Sequence, residues 1–231
     1  MLLIDENHVE PFANIRRELF TCVIGDVMDK LGLIHQFLPP RIKPLRRDMK
    51  LLGRAMPAIS VDVFAGEVEV TANPLMNRPF GLMLEALDDL KPDEVYVNTG
   101  PAPRAALWGE LMSTRATKLS AAGAVLNGYV RDANGIERLG FPTFCWGTYG
   151  QDSAPRHKVV DFRLPIEIGA VSICPGDLLF GDVDGVCVIP KAAENEVLAK
   201  AFEKVRGEQR VRKAIEDGMS AVDAFARWGI M

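Results

Sequence analysis

The chain is poor in the residues that most often hold a soft metal. It has four cysteines and three histidines in 231 residues. Cys22, Cys145, Cys174 and Cys187 form no C-x-x-C pair, and His8, His35 and His157 are equally scattered. A zinc site of thiolate and imidazole is therefore not expected. Reduced, buried thiols in a cytoplasmic protein are. Positive charge is in deficit, since 27 Lys and Arg against 31 Asp and Glu give a formal charge of −4. Nucleic acid as the main ligand would want a basic face. The densest basic stretch, Arg41 to Lys50, has no interleaved aromatic residue and reads as a solvated linker. No apolar run approaches the roughly 20 residues of a membrane helix. The opening Met1-Leu-Leu-Ile-Asp-Glu-Asn7 turns acidic too early for a secretory leader. No G-x-G-x-x-G or Walker A sequence supports nucleotide binding. Gly181-Asp-Val-Asp-Gly185 suggests calcium, but the other ligands of an EF-hand loop are missing.

What is present is an ordinary core-forming composition, with 48% hydrophobic residues. The pattern of elements predicts one α/β domain over 1–190 and a C-terminal helical arm over 191–231 that packs on a neighbouring subunit. The 20 glycines and 15 prolines predict many turns. Helices are expected around 11–20 and 25–32, and a strand near 54–62. A helix over 79–90 would place Pro79 at its first position, with Phe80, Met83, Leu84 and Leu87 on one side. Glu94–Asn98, a helix over 109–122 and Ala124–Asn127 form a β-α-β unit with a parallel strand pair. From Val171, three short strands joined by turn residues make an antiparallel region. A long helix over about 191–217, ended by Gly218, and a shorter one to about 227 close the chain.

Ligands of α/β folds bind outside the carboxyl ends of parallel strands. Two loops leave such ends, Thr99–Gly109 and Gly128–Gly135. If the strands are neighbours, Glu110 meets Arg131 and Asp132. Asp132 is a suitable oxygen ligand for Mg²⁺ or Mn²⁺. Arg131 can hold a carboxylate or an enolate with its planar fork. The first amides of the following helix, those of Glu110, Leu111 and Met112, make an anion site. Together these suit a 2-oxo acid. The plainer alternatives stay open: an exposed Arg–Asp pair, and a helix-start carboxylate at Glu110. Asp26 has the look of a helix-capping acid. Glu208 flanks the stripe of Leu198, Ala201 and Val205, either as its polar edge or as a group delivered to a neighbour's site.

Trp108-Gly-Glu-Leu-Met112, Gly128-Tyr-Val-Arg-Asp132, Pro175-Gly-Asp177, Gly181-Asp-Val-Asp-Gly-Val186 and Val188-Ile-Pro190 together resemble a known family. It is that of the class II 4-hydroxy-4-methyl-2-oxoglutarate/4-carboxy-4-hydroxy-2-oxoadipate aldolases. The same family holds the regulator of ribonuclease activity A proteins, and many members carry a dimethylmenaquinone methyltransferase label. No glycine-rich S-adenosylmethionine loop supports that label here. The resemblance implies a swivelling β/β/α, αββα sandwich-like domain, assembled as homotrimers or dimers of trimers (homohexamers) with sites between subunits. It implies a Mg²⁺- or Mn²⁺-dependent lyase that releases pyruvate by retro-aldol cleavage and often acts as an oxaloacetate decarboxylase. By the same resemblance Asp132 anchors the metal, Arg131 meets the keto or enolate oxygen, and the Leu111 and Met112 amides cradle the carboxylate. Glu110, with Asp26 and Glu208 of a neighbour, is implied to hold catalytic water. Asn127-Gly128, the bulky Tyr129 and the Pro-stiffened Thr99–Pro103 loop depart from the family pattern where the far part of the substrate would lie. A non-catalytic regulator that binds a ribonuclease or another protein, and a different metal-enolate reaction on a sugar acid, are the competing functions.

Overall fold

Residues 12–63 and 73–230 are described by the structure, a computed structural model. Helices α1 (Ala13–Glu18) and α2 (Thr21–Lys30) lead into β1 (Lys43–Pro44) and the long β2 (Leu51–Asp62). Then come α3 (Met83–Asp88), β3 (Glu94–Thr99), β4 (Ala106–Trp108), α4 (Glu110–Lys118), β5 (Gly123–Leu126), β6 (Tyr129–Val130), α5 (Ala133–Leu139) and β7 (Thr143–Cys145). The last part holds β8 (His157–Phe162), β9 (Ile166–Ile168), β10 (Val171–Ile173), β11 (Leu178–Asp182), β12 (Gly185–Ile189), α6 (Glu194–Glu216) and α7 (Ala221–Trp228).

The main sheet runs β1-β7-β5-β3-β2-β11-β12. β7, β5, β3 and β2 are parallel to one another, whereas β11 and β12 are antiparallel to their neighbours. β2 is long enough to serve three partners. One edge pairs with β3, and the other pairs first with β11 and then with β8, the β8 register shifting between Ile59 and Ser60. The sheet nearly closes on itself: residues 36–38, just before β1, hydrogen-bond to Val186 and Val188 of β12 at 2.9 Å. Period-2 alternation then sorts the side chains. Val95, Val97, Val125, Leu179, Val186 and Val188 fill the inside of the curved sheet. Met56, Tyr96, Ala124 and Leu126 face outward toward α3, α4 and α5, while Leu52, Leu178, Phe180 and Ile189 face α1, α2 and α6.

The β3-α4-β5 unit with its parallel pair is present as expected. Several local expectations are corrected. The helix expected at 25–32 begins at Thr21, so Asp26 sits within α2 and does not cap it. The cap comes from far along the chain. Buried Asp182 accepts from Thr21 N at 2.9 Å and Thr21 Oγ1 at 2.6 Å. The helix expected from Pro79 starts at Met83, because Gly81 and Leu82 instead bridge to Val159 of β8. Of the three late strands, β11 and β12 form a hairpin, but β10 pairs with β9 in a separate ribbon. Cys145 and Cys187 are buried and free as expected, whereas Cys22 and Cys174 are free but exposed. The arm expected over 191–231 is α6 and α7, and α6 buries Val197, Ala201 and Val205 against its own chain. Among the described residues no helix is long and apolar enough to cross a membrane. His8 and the opening seven residues lie outside the described residues.

Candidate active site

The two loops leaving the parallel strands do converge. Each contains a short strand, and β4 pairs in parallel with β6, with Arg131 N donating to Trp108 O at 2.9 Å. This pairing carries the Arg131–Asp132 dipeptide to the amino end of α4. Gly109, the residue before that helix, offers no side-chain cap. The carboxylate of Asp132 takes that place, its Oδ2 lying 3.3 Å from Glu110 N as acceptor. The next two amides, of Leu111 and Met112, belong to a first turn in which helix geometry provides no carbonyl partner. They are the amides that the sequence analysis expects to cradle an anion.

Close contacts fix this arrangement. A Cβ on Gly109 would stand 2.8 Å from Asp132 Oδ2, and one on Gly135 would stand 2.1 Å from Glu110 Cδ. Asp132 itself takes left-handed backbone angles, φ 58° and ψ 34°. That region is open to Asp and Asn more than to other side chains. Arg131 lies between two carboxylates: its Nη1 is 3.1 Å from Asp152 and its Nε is 3.6 Å from Asp132. Glu110 pairs loosely with Arg138 at 3.6 Å. Trp108 is buried beneath the loop, and its indole N–H donates to Ser113 Oγ at 2.7 Å.

Arg131 and Asp132 open onto a cleft of about 320 Å³. Phe80, Met83 and Leu87 form one apolar wall, and Leu107, Trp108 and Met112 the other. Asp152 and Ser153 complete its polar side. They come from the loop before β8, and no motif pointed to them, because Asp152 gains its role only by reaching Arg131 across the chain. Asp26 and Glu208 do not line this cleft. They meet elsewhere, at Lys204, whose Nζ is 2.9 Å from Asp26 and 2.8 Å from Glu208. Burial works against the Lys204 charge, but the two carboxylates outweigh it and raise its pKa.

Among the described residues no three His, Cys, Asp or Glu side chains cluster as a metal-binding set. A hard ion that keeps several waters needs only one or two protein carboxylates. The half-exposed carboxylate of Asp132, at the cleft mouth beside a helix end, fits such an ion.

The fold and site define an α/β protein with a cleft at the carboxyl ends of parallel strands, where an arginine meets the amino end of a helix. A family model described as RraA-like, Aldolase/RraA, matches residues 21–188, and the chain belongs to that family. It is 34% identical over 211 residues to a protein of Halalkalibacterium halodurans named "putative 4-hydroxy-4-methyl-2-oxoglutarate aldolase", covering 90% of each chain. A crystal structure titled as one of novel cellulases from microbes associated with the gut ecosystem superposes with a TM-score of 0.76 at 29% identity. That match covers 90% of this chain and 91% of the other. Streptomyces coelicolor RraAS2, described as an unusual member of the RNase ES inhibitor RraA family, shares the fold. Its TM-score is 0.73 at 21% identity, over 89% of this chain and 99% of its own.

Proposed function

We propose that the protein is a divalent-metal-dependent lyase that cleaves a 4-hydroxy-2-oxo acid between C3 and C4 and releases pyruvate. Decarboxylation of oxaloacetate, which passes through the same pyruvate enolate, is proposed as a related activity. The observation that carries this reading is the meeting of Arg131 and Asp132 at the amino end of α4, in one apolar-walled cleft.

In this reading the Leu111 and Met112 amides bind the substrate carboxylate. The guanidinium of Arg131 faces the C2 keto oxygen and stabilises the charge that grows there. Asp132 would hold Mg²⁺ or Mn²⁺, which when bound supplies Lewis-acid polarisation of the 2-oxo acid. Glu110 orients a water that takes the proton of the 4-hydroxyl group. The C3–C4 bond then breaks, its electron pair passes into the C2 carbonyl, and an aldehyde or ketone leaves. Protonation of the enolate at C3 gives pyruvate. Asp26 and Glu208 are assigned to the site of a neighbouring subunit, in a homotrimer or a dimer of trimers.

The test is pyruvate release, coupled to lactate dehydrogenase, from oxaloacetate and a panel of 4-hydroxy-2-oxo acids. Each is assayed with Mg²⁺, with Mn²⁺ and with chelator. Metal-dependent pyruvate is expected. A folded protein that neither binds metal nor releases pyruvate would overturn the reading and favour a regulator that binds another protein.

A further inference from the structure

Beside the cleft lies a much smaller chamber of about 10 Å³, with room for a single oxygen atom such as that of one water. Phe80, Met83, Leu107 and Ser153 line both spaces, so the chamber continues the cleft. Its polar side is formed by His157, Ser60 and Asn98. These come from β8, β2 and β3, three strands that lie side by side in the main sheet.

His157 is 3% exposed, and among the described residues neither ring nitrogen makes a well-formed hydrogen bond, the backbone of Ala102 being its polar contact besides Asp62. Asp62 Oδ1 stands 3.6 Å from Nε2, too far for a hydrogen bond. The Asp62 carboxylate accepts the Ala102 N–H instead, at 3.2 Å. Ser60 and Asn98 are already tied together, the Asn98 amide donating to Ser60 Oγ at 3.0 Å. Among the described residues the imidazole is therefore the least well partnered member of this group. Leaving such a group dry and unpaired costs on the order of 1–3 kcal/mol, and buried polar atoms in native proteins are rarely left so. Burial lowers the His157 pKa, against smaller opposing pulls from Asp62 and the Ala102 backbone. The ring is then neutral at pH 7, with one donor and one acceptor nitrogen. A hydroxyl group, which both donates and accepts, can pair with whichever ring nitrogen faces the chamber. A carboxylate has two oxygens for a one-oxygen space and a charge that burial penalises.

We propose that His157 is a specificity residue that receives the hydroxyl group on the carbon beyond C4, so that the substrate is a 4,5-dihydroxy-2-oxo acid. This rests on the lyase reading and names the far end of its substrate.

The experiment compares kcat/KM for three compounds with Mg²⁺: 4,5-dihydroxy-2-oxopentanoate, 4-hydroxy-2-oxopentanoate and 4-hydroxy-2-oxoglutarate. The wild type is expected to favour the hydroxyl-ended compound at least about tenfold over both others. In His157→Phe that ratio should fall to near one, and in His157→Gln, which keeps a donor and an acceptor, it should be partly retained. The wild-type ratio needs no variant, and a ratio within one preparation is independent of the fraction folded. Equal use of the methyl-ended compound, a preference for the carboxylate-ended one, or an unchanged ratio in His157→Phe would mean that the chamber holds only a water. Pyruvate released without preference sinks this proposal alone. No pyruvate from any of the three or from oxaloacetate, in a folded protein that binds no Mg²⁺, sinks the lyase reading with it.

Discussion

At the scale of single residues, Asp132 is held by two constraints at once. Its carboxylate stands at the start of α4, and its backbone is left-handed. Replacement by alanine would confound the two, since a non-Gly, non-Asx residue in that region costs roughly 1–2 kcal/mol. Asp132→Asn keeps the backbone preference and removes the charge. Its Mg²⁺-dependent pyruvate release is expected to fall roughly 100-fold or more, the scale of losing one electrostatic contact to the developing charge. Its thermal midpoint should stay within a few degrees of the wild type, and calorimetric Mg²⁺ titration should show weakened binding. Wild-type turnover in this variant would remove Asp132 from the mechanism. The Arg131–Asp132 pair was legible in the sequence because its whole setting is local. Glu110 and Asp132 are 22 residues apart and belong to consecutive turns of the β-α-β pattern. His157, Ser60 and Asn98 were not legible, since strand pairing alone brings them together.

At the scale of elements, the informative case is the Gly181–Gly185 turn. As a sequence it resembles an incomplete calcium loop, but its Asp182 caps α2 from 161 residues away and also accepts from Asp184 N at 2.9 Å. The start of α2 could not be read locally because no residue beside it supplies the cap. The same reason shortens α3, where an inter-strand bridge at Gly81 overrides the helical spacing that begins at Pro79. Asp182→Ala is expected to destabilise the fold by about 2 kcal/mol. That is the upper range for a lost cap, because the Thr21 N–H and hydroxyl are buried and would be left unpaired. Urea unfolding should show a lower midpoint with an unchanged slope. A shift below about 0.5 kcal/mol would mean that water replaces the carboxylate without loss.

At the scale of the whole molecule, His157 makes stability depend on pH. Its folded pKa lies below the ordinary 6.5, because burial disfavours the charged ring. Between the folded value and 6.5 the unfolded chain binds more protons than the native one, so stability falls as pH drops through that window and is regained as pH rises. One proton gives a slope of at most about 1.4 kcal/mol per pH unit. Thermal melts between pH 7 and pH 5 should show this decline, and His157→Gln should flatten it. An equal slope in the variant would assign the effect to other groups.

The twelve residues of β2 draw partners from both halves of the chain, Glu94 opposite Arg54 on one side and Leu178 opposite Arg54 on the other. On the ribosome, β2 emerges long before β8 and β11 exist to cover its second edge. A growing chain therefore carries a long apolar strand with open hydrogen-bonding groups on one edge until β8 and β11, the latter ending at Asp182, have been made. Of the late strands, β8 and β11 cover the second edge of β2, and β12 then ends the sheet beyond β11. The architecture that places Arg131 and Asp132 so closely thus also makes folding slow and leaves nascent chains dependent on protection from one another.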